Sequence, residues 1–262
     1  MPSPAAQPPP DLAQTYDKRF YDELDADVRS SAEVVVPMVV ELLHPRSVLD
    51  VGCGRGTWLG IFVRNGITDV VGVDGPHFSP SELEIPATAF VEHDFNEPFS
   101  LGRTFDLAVS LEVAEHLPEA VAPAFVASLV AHAPAVLFSA AIPQQGGAGH
   151  VNEQWPSYWR ARFAAHGYAP VDAIRPRVWT DDRVAYWYAQ NTMLYLDSSS
   201  DTAQRLPPAG TEAILDLVHP AMYLRRRAPA RKQPPSLSRL LRELPSATGR
   251  AIRRRSPGGS AR

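Results

Sequence analysis

Cysteine is nearly absent from this 262-residue chain: Cys53 stands alone. A single thiol excludes an internal disulfide framework and any zinc or iron–sulfur centre built on several cysteines. No apolar run reaches the roughly 18–20 residues of a membrane-spanning helix, so no span is expected. The opening segment (MPSPAAQPPPDLAQ) lacks both the basic and the apolar region of a secretory signal, and the expected location is the cytoplasm. Charged residues make up only 21% and hydrophobic ones 45%, a globular balance that excludes a wholly disordered chain.

Basic residues are scarce in the body and crowded at the end. Residues 225–262 carry 12 Lys/Arg against Glu243 alone, whereas the preceding 224 residues carry 13 against 28 Asp/Glu. The body is therefore acidic, which disfavours a nucleic-acid partner. Three regions follow from composition: a Pro-rich leader (1–14), one domain (15–224) and a basic tail (225–262) expected outside the fold. Within the tail Leu237, Leu240, Leu241 and Leu244 fall at helical spacing among arginines, which offers a peripheral contact with anionic membrane.

The body alternates helices with short apolar strands. A helical pattern runs from about Tyr16 to Pro45, with Val34, Met38, Val39, Leu42 and Leu43 on one face. Strands are predicted at 47–51, 70–74, 89–92, 105–111 and 135–140, with helices at 57–66, 118–131 and 155–166. Near-continuous apolar strands separated by helices specify a parallel sheet covered on both faces. A last strand, Asn191 to Leu196, alternates less cleanly and is expected at or near an edge.

At the first strand-to-helix turn the sequence reads Val48-Leu-Asp50-Val-Gly52-Cys-Gly54-Arg-Gly56. Glycines there admit a ligand close to the backbone, and the helix start offers free amide donors. The G-x-G-x-G spacing departs from the G-x-G-x-x-G dinucleotide fingerprint, so an oxidoreductase is disfavoured. Asp50 beside the loop suits an ammonium or sulfonium ligand better than a pyrophosphate.

This segment resembles motif I of the class I S-adenosylmethionine-dependent methyltransferases. The resemblance spans about residues 30–200. It implies a Rossmann-like fold, a seven-stranded, mostly parallel sheet with one antiparallel strand and helices on both faces. It also implies an S-adenosylmethionine cofactor held by Asp50, Gly52, Gly54 and Gly56. Asp74 with Gly75 ends the second strand and matches the acid that binds the ribose hydroxyls. Asp94 and Phe95 match the adenine position, and Leu111 closes the fourth strand against the same ligand.

Past Leu111 comes Glu112-Val-Ala-Glu115-His116, where spacing alone places Glu112, Glu115 and His116 on one face of a single turn. Two carboxylates and an imidazole crowded together call for a cation. His150, in the glycine-rich loop after the fifth strand, reaches the same rim. The set resembles the divalent-metal site of small-RNA 3′-terminal ribose 2′-O-methyltransferases, and the overall design is similar to mycobacterial methylmannose polysaccharide enzymes. The resemblance implies Glu112, Glu115, His116 and His150 as ligands of Mg²⁺ or Mn²⁺, with Zn²⁺ admissible. Without a metal, Glu115 or His150 serves as a general base. Asn152, Glu153, Gln154, Trp155, Tyr158 and Trp179 suit a carbohydrate, through stacking and hydrogen bonding. The preferred substrate is thus a hydroxyl of a sugar, glycolipid or glycosylated natural product. A phenolic or polyketide alcohol comes next and RNA ribose last, and a non-catalytic cofactor-binding protein is the alternative of another class. Nothing in the sequence sets the oligomeric state.

Overall fold

The structure, a computed structural model, describes residues 18–76, 79–206, 208, 210 and 213–227. The leader, and the basic tail beyond Arg227 with the membrane contact expected of it, lie outside the described residues. Compact packing divides the chain between Met222 and Tyr223, and the site lies in the first unit.

Helix α1 (Lys18–Leu43) carries the long apolar face expected of it, and Val35, Val36, Val39 and Leu43 are buried. Strand β1 (Ser47–Val51) follows, buried at every position, and the glycine loop leads into helix α2 (Thr57–Arg64). Then come β2 (Asp69–Asp74), the short β3 (Phe90–Glu92) and β4 (Leu107–Leu111). Helix α3 (Ala122–His132) leads into β5 (Ala135–Ser139) and helix α4 (Pro156–Ala164) into β6 (Tyr168–Val171). Two short helices, α5 (Arg175–Val178) and α6 (Tyr186–Asn191), precede β7 (Met193–Asp197), and α7 (Asp201–Arg205) and α8 (Pro220–Arg227) follow. Among the described residues, no helix is long and apolar enough to cross a membrane.

The seven strands form one sheet in the order β3-β2-β1-β4-β5-β7-β6. All lie parallel except β7, which is antiparallel to both β5 and β6. This is the expected Rossmann-like methyltransferase sheet. Apolar clusters cover both faces. Residues of α1 and α2 supply one, while α3 and α4 supply the other with Phe125, Trp159 and Phe163. Phe163 stacks on Tyr195 at 3.9 Å between ring centroids, so Trp159, Phe163 and Tyr168 are core residues. Burying each such ring contributes roughly 1.5–3 kcal/mol or more.

One local expectation differs from the structure. Asn191 is not the start of the last strand but the end of α6, where its side chain is drawn into a buried hydrogen-bond network. Strand β7 lies near the edge, as expected, one place in from it between β5 and β6. Neighbours on both sides bury Met193–Leu196 fully, which removes the alternation an edge strand would show.

Candidate functional site

The site forms where β1, β2, β4 and β5 end, the rim at which parallel sheets gather ligands. Its first half is the glycine loop. Gly52, Gly54 and Gly56 all adopt positive φ (84°, 57° and 84°), a conformation that costs a side-chain residue roughly 1–2 kcal/mol. Space is equally restrictive, since a Cβ on Gly52 would come within 2.3 Å of Val113 Cγ2. The backbone N–H of Gly54 donates to Asp74 Oδ2 at 2.6 Å, and that of Gly75 to Asp74 Oδ1 at 2.7 Å. Asp74 is thereby locked at the end of β2 with its carboxylate facing the loop. Cys53 is buried against Gly72, and burial pushes its thiol up, which makes it inert.

Asp50 is 2% exposed, and its Oδ2 has no hydrogen-bond partner. Burial, followed by the charge of Asp74, pushes its carboxyl up to about 8. A buried carboxylate without a partner beside a glycine cradle is a place for a cationic group. These residues therefore fit S-adenosylmethionine, whose sulfonium and ammonium are cationic. Asp94 is exposed past the edge strand β3, and the Asn96 backbone N–H and side chain hold its carboxyl below the usual range. Phe95 packs on Phe125 at 5.8 Å and Phe99 at 6.2 Å. Leu111 is buried at the end of β4.

The second half of the site follows β4. Glu112 adopts φ 56°, held by Ser139, whose backbone carbonyl and hydroxyl both accept from the Glu112 N–H. A 3₁₀ turn then spans Ala114–His116. This break corrects the expectation of one helical turn bearing Glu112, Glu115 and His116 on a common face. Ligand atoms of Glu115, His116 and His150 lie within 4.8 Å of one another, and Glu112 is outside that group. Its oxygens instead accept from Gln145 Nε2 at 2.8 Å and Asn191 Nδ2 at 3.1 Å.

Glu115 is fully buried, and neither carboxylate oxygen receives a hydrogen bond of good geometry, although the backbone of Glu115 and Ala141 leans toward it. Burial, and then the neighbouring Glu112, raise its carboxyl well above the ordinary value. The rings of His116 and His150 meet edge to face at 4.8 Å. His116 as a residue reaches solvent, yet its ring is partly desolvated there, and that loss of water and then His150 lower its pKa.

His150 is held by a carboxylate. Its Nδ1 lies 3.0 Å from Glu153 Oε1, and backbone N–H groups of Gly146 and Gln144 donate to the two Glu153 oxygens at 2.7 and 2.6 Å. With Nδ1–H donating, Nε2 is the acceptor nitrogen, the usual arrangement of a metal-ligating histidine. Glu153, expected to hydrogen-bond a carbohydrate, is thus committed to the histidine, and the G-H-x-x-E spacing is the signal for it. Gln145, Gln190 and Asn191 had no sequence signal, because polar residues that meet only in three dimensions leave no spacing.

The aromatic residues divide. Trp155, Trp179 and Tyr186 are half-buried, with Trp179 4.8 Å from His219. Asp181 pairs with Arg183 in a surface turn.

The methyltransferase domain family model matches residues 26–175, more than half of the chain. No curated protein matches significantly. Among solved structures, the chain is similar to DesVI of Streptomyces venezuelae at 18% identity, with 71% of this chain and 98% of that one covered and a TM-score of 0.52. It is also similar to the sugar N-methyltransferase KedS8 of a Streptoalloteichus species, at 18% identity, 75% and 98% coverage and a TM-score of 0.54. At that identity the likeness concerns the fold. The glycine loop, the sheet order and the family match define a class I S-adenosylmethionine-dependent methyltransferase. The chain belongs to the methyltransferase domain family, and it is an enzyme of that kind.

Proposed function

We propose that the enzyme methylates a hydroxyl of a sugar, glycolipid or glycosylated natural product. The observation that carries this reading is Glu115, a fully buried carboxylate with no well-formed hydrogen bond, on the same short segment as Val113, which lies against Gly52 of the cofactor loop. A proton acceptor and a methyl-donor cradle are thereby joined. S-adenosylmethionine supplies, when bound, a methyl group made electrophilic by its sulfonium. Glu115 is the buried carboxylate placed to take the hydroxyl proton as the oxygen attacks, and His150, oriented by Glu153, stands beside it as the other base. Positioning does the rest.

Glu115, His116 and His150 also form a mixed carboxylate and imidazole set that fits Mg²⁺ or Mn²⁺, with Zn²⁺ admissible. A metal there would supply Lewis acidity to the acceptor oxygen. In this reading Glu112, given as a ligand by the resemblance, buttresses the set from behind.

Support for a sugar comes from the half-buried rings of Trp155, Trp179 and Tyr186, faces of the kind that stack on C–H groups. KedS8, of similar fold, is a sugar N-methyltransferase, which supports a sugar acceptor though not the choice of a hydroxyl. The acidic body argues against RNA, and the proposed setting is the cytoplasm. The domain is proposed to be residues 15–224. The test is release of S-adenosylhomocysteine with a panel of nucleotide-linked sugars, simple glycosides and catechols, with mass spectrometry of the products. Methylation of catechols with no turnover on any sugar would overturn the sugar reading.

A further inference from the structure

The amide groups between His219 and Glu112 all run in one direction, and backbone groups set that direction. The backbone N–H of His219 donates to Gln190 Oε1 at 2.7 Å. A backbone N–H can only donate, so the Gln190 atom facing it is the oxygen and the other terminal atom is nitrogen. That nitrogen donates onward to Gln145 Oε1 at 3.2 Å and to Asn191 Oδ1 at 2.9 Å. A second backbone donor, Ile142 N–H, faces the same Gln145 oxygen at 3.4 Å. Gln145 and Asn191 then have only N–H groups left to offer. They donate them to Glu112 Oε2 and Oε1.

Water has little access to the middle of the line, where Gln190 and Asn191 are 1% and 3% exposed. The origin of the line is also anchored. Arg175, 1% exposed and paired with Asp172, donates from Nη1 to Leu215 O at 2.7 Å and to Gln190 O at 3.4 Å, which holds the 215–219 segment in place.

We infer that Gln190 is a positioning residue: it sets the polarity of an amide relay that commits both Glu112 oxygens to N–H donors and leaves Glu115 as the carboxylate without a side-chain N–H donor. This rests on the reading of Glu115 as the working carboxylate. Packing alone would accept an amide turned end for end. The relay does not, because one reversal sets oxygen against oxygen along the whole line.

Gln190→Glu tests it, since the shape and the oxygen facing His219 are kept while the onward donor is lost. Gln145 Oε1 and Asn191 Oδ1 then face a carboxylate oxygen; Gln145 Oε1 keeps Asn191 Nδ2 and the Ile142 N–H as donors, and turning Gln145 would relieve the repulsion only by presenting its oxygen to Glu112. The variant is expected to melt at lower temperature and to lose kcat by about 10- to 100-fold on the sugar acceptor that the wild-type enzyme methylates, with S-adenosylhomocysteine affinity changed less than about twofold. Adding Glu112→Gln supplies an N–H at the far end, so the double variant is expected to regain melting temperature that Gln190→Glu lost, although Glu112→Gln alone is destabilising. Strictly additive losses at positions 190 and 112 would overturn the relay. Should Gln190→Glu fail to fold, Gln145→Met at a half-buried position is expected to give the same kcat loss with unchanged cofactor affinity, and full kcat there overturns the proposal. The melting readout needs no acceptor. Coupling between 190 and 112 together with normal turnover in Glu115→Gln would therefore sink the role of Glu115 and leave the relay standing.

Discussion

Val113 fills the space where a side chain at Gly52 would stand, its Cγ2 only 2.3 Å from the ideal Cβ position. The contact brings the two halves of the site together: the acid–histidine segment after β4 packs directly on the cofactor loop after β1.

Gly52→Ala is expected to suffer twice, from a Cβ at φ 84° and from overlap with Val113. The strain alone is about 1–2 kcal/mol. Calorimetric titration with S-adenosylhomocysteine should show at least a tenfold loss of affinity, roughly the 1.4 kcal/mol of a tenfold change. Adding Val113→Ala should relieve the overlap and recover only part of the loss, since the backbone strain persists. Full recovery would mean that space alone matters at this turn.

Asp50 makes cofactor binding a proton-linked event. In the ligand-free protein its carboxyl titrates at about 8, so below that it carries a proton. A cationic group beside it favours the ionised form, and binding then releases the proton. Affinity is expected to rise with pH toward about 8 and level off above it. Calorimetry in buffers of different ionisation enthalpy should detect nearly one proton released near pH 6 and none above about pH 9, and Asp50→Asn should abolish the release. Stability of the ligand-free protein follows the opposite slope. The unfolded carboxyl ionises near its ordinary value and the folded one only near 8, so stability falls as pH rises between them.

Much of this was legible in the sequence, for a physical reason. Asp50, the three glycines and Asp74 act through local backbone geometry at strand ends, and local geometry is written in spacing. The sheet followed from apolar strands alternating with helices. The shared face of Glu112, Glu115 and His116 fails for the complementary reason: i, i+3, i+4 spacing predicts it only if the segment is helical, and φ 56° at Glu112 breaks the turn before it starts. Gln145, Gln190 and Asn191 come together from a loop and the end of α6, so no periodicity announces them.

Glu115→Gln separates chemistry from stability. Removing the proton acceptor is expected to cut kcat by on the order of 10²–10⁴-fold, with S-adenosylhomocysteine affinity unchanged. The buried carboxyl is raised well above its ordinary value, so in the folded enzyme it destabilises wherever the unfolded carboxyl is ionised. An amide carries no such cost. The variant should therefore melt at the same or a higher temperature than the wild type at pH 7 and above, and a large drop would show that the carboxylate is a structural anchor.

His150 and Glu153 give the sharpest test of the metal. Glu153 holds His150 at 3.0 Å and is itself fixed by two backbone N–H groups, so its role is to aim the ring and set its tautomer. If Glu115, His116 and His150 hold a divalent cation, chelation should abolish turnover, and Mg²⁺ or Mn²⁺ should restore it. Glu153→Gln keeps the shape but weakens the hold on the ring, and should reduce metal affinity by about 10- to 100-fold, read directly by titration with Mn²⁺. His150→Ala should lower both metal affinity and turnover further while sparing the cofactor loop, which it does not touch. Full activity in chelator-treated enzyme would remove the metal and leave an acid–base site. Glu153→Gln would then lower kcat instead, because the contact that aims the His150 ring is weakened.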